Sequence, residues 1–80
     1  MKTIREITKD MNEIEALYNG LVVEEELNWY LADLSGDYAY ATWFSSQMAA
    51  LLEDYMVLEI ELTWAVSLAE YEAARMYRAA

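Results

Sequence analysis

Any chemistry in this chain must come from carboxylates, hydroxyls and a few amines, because its 80 residues include no histidine and no cysteine. General acid–base work usually recruits an imidazole, and none is present. The hydroxyls of Thr3, Thr8, Ser35, Thr42, Ser45, Ser46, Thr63 and Ser67 would need an adjacent base to act as nucleophiles, and only Lys2 and Lys9 could serve. Gly20 and Gly36 stand alone, so no glycine-rich loop is available to cradle a phosphate. A di-iron bundle would want Glu-x-x-His pairs, which this chain cannot make. Carboxylates by themselves can hold Mg²⁺ or Ca²⁺. Asp33 and Asp37 flank a glycine turn, but the stretch departs from the calcium-loop pattern and lacks its terminal Glu. Glu6, Asp10 and Glu13 share a helix face, as solvated carboxylates commonly do. The residue types point away from an enzyme, and no catalytic, cofactor-binding or metal-binding residue is assigned.

The layout of charge is more informative. The net charge is −10, and the five cations, Lys2, Arg5, Lys9, Arg75 and Arg78, lie near the two ends. Between Lys9 and Arg75 there are 14 carboxylates and no cation. The chain thereby forgoes nearly all Glu–Lys pairs one helical turn apart, each worth ~0.2–0.5 kcal/mol. An acidic surface keeps a small protein dispersed, and it also suits a basic partner. It disfavours direct binding to DNA, RNA or anionic lipid, which need cationic contacts. Ten residues are Trp or Tyr, the types that dominate interface energetics and also fill small helical cores. The clustered carboxylates Glu24, Glu25, Glu53, Asp54, Glu59 and Glu61 are the partner-binding candidates.

The elements that must position them are helical. Asp37 to Ala80 runs without glycine or proline and reads as one long helix, which at ~1.5 Å per residue would span roughly 65 Å. Its inward seam, at 3-4 spacing, is Ala41, Phe44, Met48, Leu51, Tyr55, Leu58, Leu62, Ala65, Ala69, Glu72, Met76 and Ala79. A second apolar stripe, Trp43, Ala50, Val57, Trp64 and Tyr71, recurs every seven residues on the side roughly opposite the seam. A helix apolar on two sides is central or packs on a partner, so Trp43, Val57, Trp64 and Tyr71 are the expected interface of a homodimer. Upstream, Thr3 and Glu6 fit a capping box for a helix over 4–18 with the stripe Ile4, Ile7, Met11, Ile14 and Tyr18. Asn19-Gly20 reads as its stop. A second short helix over about 22–34 would turn Val23, Leu27, Tyr30, Leu31 and Leu34 inward, before a break at Ser35-Gly36-Asp37. The expected fold is one all-α domain over 1–80. Two short helices pack antiparallel on a long C-terminal helix, as a helical hairpin or three-helix bundle, and the assembly dimerises.

The longest uncharged run, Tyr38 to Leu52, is too short and too polar for a membrane span, which needs about 20 apolar residues. With no recognisable leader, a soluble, cytoplasmic protein is expected, in the host cytoplasm if phage-encoded. In length, acidity, lack of catalytic motifs and the cation-free stretch around Glu24-Glu25-Glu26, Glu53-Asp54, Glu59 and Glu61, the chain resembles small phage-encoded inhibitors of the anti-CRISPR and anti-restriction type. That resemblance implies an inhibitor that occupies a basic nucleic-acid-binding surface of a bacterial defence or nucleic-acid-processing complex, with DNA mimicry, carboxylates standing where phosphates would, as one means of doing so. The alternative expectation is a non-catalytic helical oligomerisation or adaptor protein, or an antitoxin-type regulator.

Overall fold

A computed structural model describes residues 2–79 of the chain, Ala79 by its backbone alone. It contains two helices, α1 (Ile4–Ser35) and α2 (Ala39–Ala79), packed against each other as a hairpin with overall extents of 70 × 16 × 15 Å. No helix among the described residues is long and apolar enough to cross a membrane.

The ends of α1 follow from local chemistry. Thr3, in an extended conformation, accepts the Glu6 N–H on its hydroxyl at 3.1 Å and donates that hydroxyl to the Glu6 carboxylate at 3.0 Å. This satisfies one of the free amide donors of the first turn. At the other end Gly36 adopts φ 77°, a left-handed conformation that costs glycine nothing, and its N–H reaches the Ala32 carbonyl at 2.8 Å. The turn is short and closed by side chains: Ser35 Oγ accepts from the Asp37 N–H, and Asp37 Oδ1 accepts from the Ala39 N–H at 3.1 Å. The reversal expected at Ser35-Gly36-Asp37 is therefore present, and α2 runs unbroken to Ala79.

The break expected at Asn19-Gly20 is absent, so the described residues form two helices rather than three. The reason lies in the phase of the seam. Ile4, Ile7, Met11, Ile14, Tyr18, Leu21, Glu25, Asn28 and Ala32 keep 3-4 spacing straight through Gly20. A continuous helix thus holds both halves of α1 on α2 without a slip. Gly20 lies off the seam, with open space where a side chain would project, and it has no positive φ. Its helical penalty of about 1 kcal/mol relative to alanine is smaller than the cost of exposing the backbone groups of two new helix ends.

Continuity also overturns the face expected for residues 22–34. Val23, Leu27, Tyr30, Leu31 and Leu34 are all more than half exposed, Val23 reaching 72% and Leu34 68%. The residues turned inward are Leu21, Val22, Glu25, Asn28 and Ala32, of which only Ala32 is fully buried. A separate short helix could have rotated its most apolar face inward; one locked in phase with Ile7 and Met11 cannot.

The α2 seam holds as expected from Ala41 to Ala65. Ala41, Phe44, Met48, Leu58 and Ala65 are buried, and Leu51, Tyr55 and Leu62 are half-buried. The firmest packing is at the open end of the hairpin, where Ile7, Met11, Leu58 and Ala65 cluster, flanked by Ile14, Tyr55 and Leu62. Since Ile7 meets this part of α2, α1 begins roughly level with residues 65–69. Ile4 therefore does not reach residues 70–76. Ala69, Glu72 and Met76, assigned to the seam, are exposed on an overhang with no helix opposite, and the side chain of Ala79 is outside the described residues.

The two glycines make opposite predictions. Gly20→Ala should stabilise the hairpin by about 0.5–1 kcal/mol. Gly36→Ala should destabilise it by about 1–2 kcal/mol, because an L-residue is forced to the left-handed region. Thermal melts followed by circular dichroism should show Tm moving up for the first and down for the second, by about 4–8 °C per kcal/mol in a chain of this size.

Candidate protein-binding surface

An antiparallel two-helix hairpin has two flanks, and the positions that border the seam on each helix meet there. On one flank, here the Tyr40 flank, Leu31 and Leu34 of α1 line a shallow groove with Tyr40 of α2 near the turn. Further along the same flank, Asp10, Glu13 and Ile14 face Asp54, Val57 and Leu58 across a second groove, with Lys2 at its edge. On the opposite flank Trp29 Nε1 donates to Ser45 Oγ at 2.9 Å, and Ile14, Glu15, Tyr18, Leu52 and Tyr55 surround a small apolar depression. Tyr38 packs its ring near Trp29 and donates its hydroxyl to Asp33 at 2.8 Å, which raises the phenol above its ordinary range.

This geometry sorts the six candidate carboxylates. Asp54 and Glu61 lie one heptad apart on the Tyr40 flank. Lys2, the cation nearest them, donates to Asp10 at 2.7 Å. That hydrogen bond, the charge of Asp10, and then Glu61 and Glu6 hold the lysine above its usual range. Glu24 is exposed on the same flank towards the turn. Glu59 takes the opposite flank and Glu53 the outer face of α2, both exposed. Glu25 occupies a seam position and is half-buried. The six do not form one cluster. Asp10 and Glu13, absent from the candidates, join Asp54 in the groove; the signal that finds them is flank-to-flank pairing in an antiparallel hairpin, which requires knowing that α1 is continuous.

The proposed interface residues Trp43, Val57, Trp64 and Tyr71 are all exposed, Trp64 by 71%, but Trp43 and Val57 border the seam on the Tyr40 flank instead of lying opposite it. Trp43 stacks on Tyr40, with ring centroids 5.8 Å apart. Tyr71 lies on the overhang, in a shallow surface with Ala74, Arg75 and Arg78. Because α1 stops short, Arg75 and Arg78 extend beyond Lys2, Arg5 and Lys9 and do not gather with them into one pole. Among the described residues two carboxylates are ion-paired, Asp10 with Lys2 and, at 4.0 Å, Glu13 with Lys9, and neither pair joins the two helices. Both pairs are open to solvent, which screens them, so they add little to stability. Among the described residues no three carboxylates converge as a metal ion would require. The arrangement is a surface with charge and aromatic groups on it. Compared with models of known families, with curated proteins and with solved structures, the chain matches none.

Glu25 offers a direct check of the seam. A half-buried carboxylate at a packing position is costly to desolvate. Glu25→Leu should raise Tm by several degrees, while Glu24→Leu, one position away and exposed, should leave it within about 0.5 kcal/mol of the parent.

Proposed function

We propose that this chain is a non-catalytic, protein-binding inhibitor. Its acidic flank occupies a basic, nucleic-acid-binding surface of a bacterial defence or nucleic-acid-processing complex, in the manner of anti-CRISPR and anti-restriction proteins. The observation that carries the reading is the groove lined by Asp10, Glu13 and Asp54, in which Asp10 and Glu13 are paired with Lys2 and Lys9 and Asp54 is ion-paired with neither. Glu61 extends the same flank by one heptad. Helices hold these carboxylates in a fixed row, so little side-chain and backbone freedom is lost when a row of Lys or Arg meets them.

Magnitudes limit how far electrostatics can carry this. A net charge of −10 over a 70 Å rod is about one net charge per 7 Å, against one per ~1.7 Å for duplex DNA. The hairpin is some four times sparser in charge than the polymer it would displace. Charge would therefore steer the encounter, and apolar contact from Val57 and Trp64, which border the acidic row on α2, would supply much of the affinity.

Competition tests the reading. Immobilised protein exposed to a bacterial lysate should retain proteins that are released by duplex DNA and by raised salt, since exposed charges are screened beyond about 8–10 Å at physiological ionic strength. The double variant Asp54→Lys/Glu61→Lys should lose them while keeping its helical circular dichroism. Retention indifferent to DNA, to salt and to this double substitution would mean that the carboxylates only keep the protein dispersed.

A further inference from the structure

The turn end of the hairpin carries a surface that the acidic reading does not use. On the Tyr40 flank Leu27, Leu31 and Leu34 follow one another at 4-3 spacing along α1, beside Tyr40 and Trp43 of α2. Each of the five is more than half exposed. An aromatic side chain presents about 150–250 Å², so Tyr40 and Trp43 alone leave on the order of 200 Å² of largely apolar surface in water. The three leucines bring the patch to or past the ~300–600 Å² typical of the largest patch on a monomer. The charges around it are arranged to leave it clear. Of the five carboxylates in the turn half, Glu25 is in the seam, Glu26 and Asp33 sit on the far side of α1, and only Glu24 and Asp37 border the patch.

Beneath the patch the α1 side of the seam is weak. Glu25 and Asn28 take packing positions on α1, and the fully buried side chains of this half are Ala32, Ala41, Phe44 and Met48. The best-packed cluster is at the other end. On α1 the turn half therefore exposes Leu27, Leu31 and Leu34 and fully buries only Ala32, so the larger apolar side chains of this helix face outward, as in a layer that another layer covers.

We propose that a second copy of this chain covers it. The two hairpins stack through the turn halves of their Tyr40 flanks, related by a two-fold axis, with their open ends pointing apart. Surface area permits this occupant. The chain exposes 6424 Å², whereas a compact monomer of 9.3 kDa should expose about 5,000 Å². Part of the excess of about 1,400 Å² belongs to the rod shape and to the exposed overhang at 69–78, and the rest leaves room for an interface of ~800 Å² per partner. Charge favours the arrangement. Stacking turn half on turn half pairs the uncharged patches and carries the Asp10, Glu13, Asp54 and Glu61 rows of the two copies away from each other. Full side-by-side overlap would place them together. A basic partner would find no charge on the patch itself, and an anionic membrane would be repelled by the carboxylates around it. The interface is distinct from the α2 stripe expected from sequence. It retains Trp43 but not Val57, Trp64 or Tyr71, and it does not depend on the inhibitor reading.

The chain has no cysteine, so a single introduced thiol reports its neighbours cleanly. Sedimentation equilibrium at micromolar concentration should give a dimer for the parent. Leu31→Glu should weaken association at least a hundredfold. Under mild oxidation Leu31→Cys, at the centre of the patch, should form covalent dimers and Asp33→Cys, on the far side of α1, should not. A parent that is monomeric at every concentration overturns the proposal. So does a dimer unaffected by Leu31→Glu, or cross-linking at Asp33→Cys in place of Leu31→Cys. If Leu31→Glu fails to fold, the two cysteine variants decide alone. None of these readouts involves a basic protein or DNA, so this proposal and the inhibitor reading can fail separately.

Discussion

One constraint governs this molecule: the packing of Ile7 and Met11 against Leu58 and Ala65 sets the rotational phase of both helices. A helix is stiff, and once one turn is docked every later turn presents a face fixed by 3.6 residues per turn. α1 carries that phase through Gly20 and on to Ala32. It therefore buries Ala32, half-buries Glu25 and Asn28, and leaves Leu27, Leu31 and Leu34 in water. Local hydrophobicity would choose the reverse. The well-packed open end wins because reversing the choice requires breaking the helix, and Asn19-Gly20 permits such a break without compelling it.

That conflict explains what was legible in the sequence. The α2 seam through Ala65, the Thr3–Glu6 cap and the Gly36 turn are local or strictly periodic signals, and each appears where its residues place it. The status of Gly20 is not a local property. An asparagine–glycine pair is compatible with a helix end and with an exposed helix interior, and only the register on either side distinguishes them. The 3-4 spacing from Tyr18 to Leu21 to Glu25 carries that information, but it places a glutamate in the seam, which a search for apolar positions discards. The candidate site inherits the same error: with α1 divided at residue 20, nothing requires Asp10 and Glu13 to lie opposite Asp54.

The flanks follow from the same phase. Since α1 and α2 are antiparallel, residues bordering the seam on one side of α1 meet their counterparts on α2 along the whole flank. The Tyr40 flank is consequently divided along its length, apolar near the turn and acidic towards the open end. The opposite flank closes itself with smaller means, the Trp29–Ser45 hydrogen bond and the Trp29–Tyr38 ring contact. The two flanks differ in degree: Trp29, Tyr38 and Leu52 on one are 36–44% exposed, whereas Leu31, Tyr40 and Trp43 on the other are 51–60% exposed.

The overhang shows where packing ceases to be the cause of structure. Beyond Leu68 no part of α1 lies opposite α2, and Ala69 to Arg78 are exposed throughout. Ten residues in isolation would not hold a helix, because initiating one is unfavourable and short segments never recover that cost. Here initiation has already occurred inside the hairpin, and each further residue adds only a propagation step. The segment is made of residues that propagate well: alanine at 69, 73 and 74, Glu70 and Glu72, Arg75, Met76 and Arg78. Arg78 also lies in the last turn, where a cation meets the negative end of the helix dipole. α2 is thus one helix with two causes, burial as far as Ala65 and intrinsic propensity after it. An apolar pattern that continues through Met76 has no bearing on whether that part is packed, since the partner that would pack it ends first.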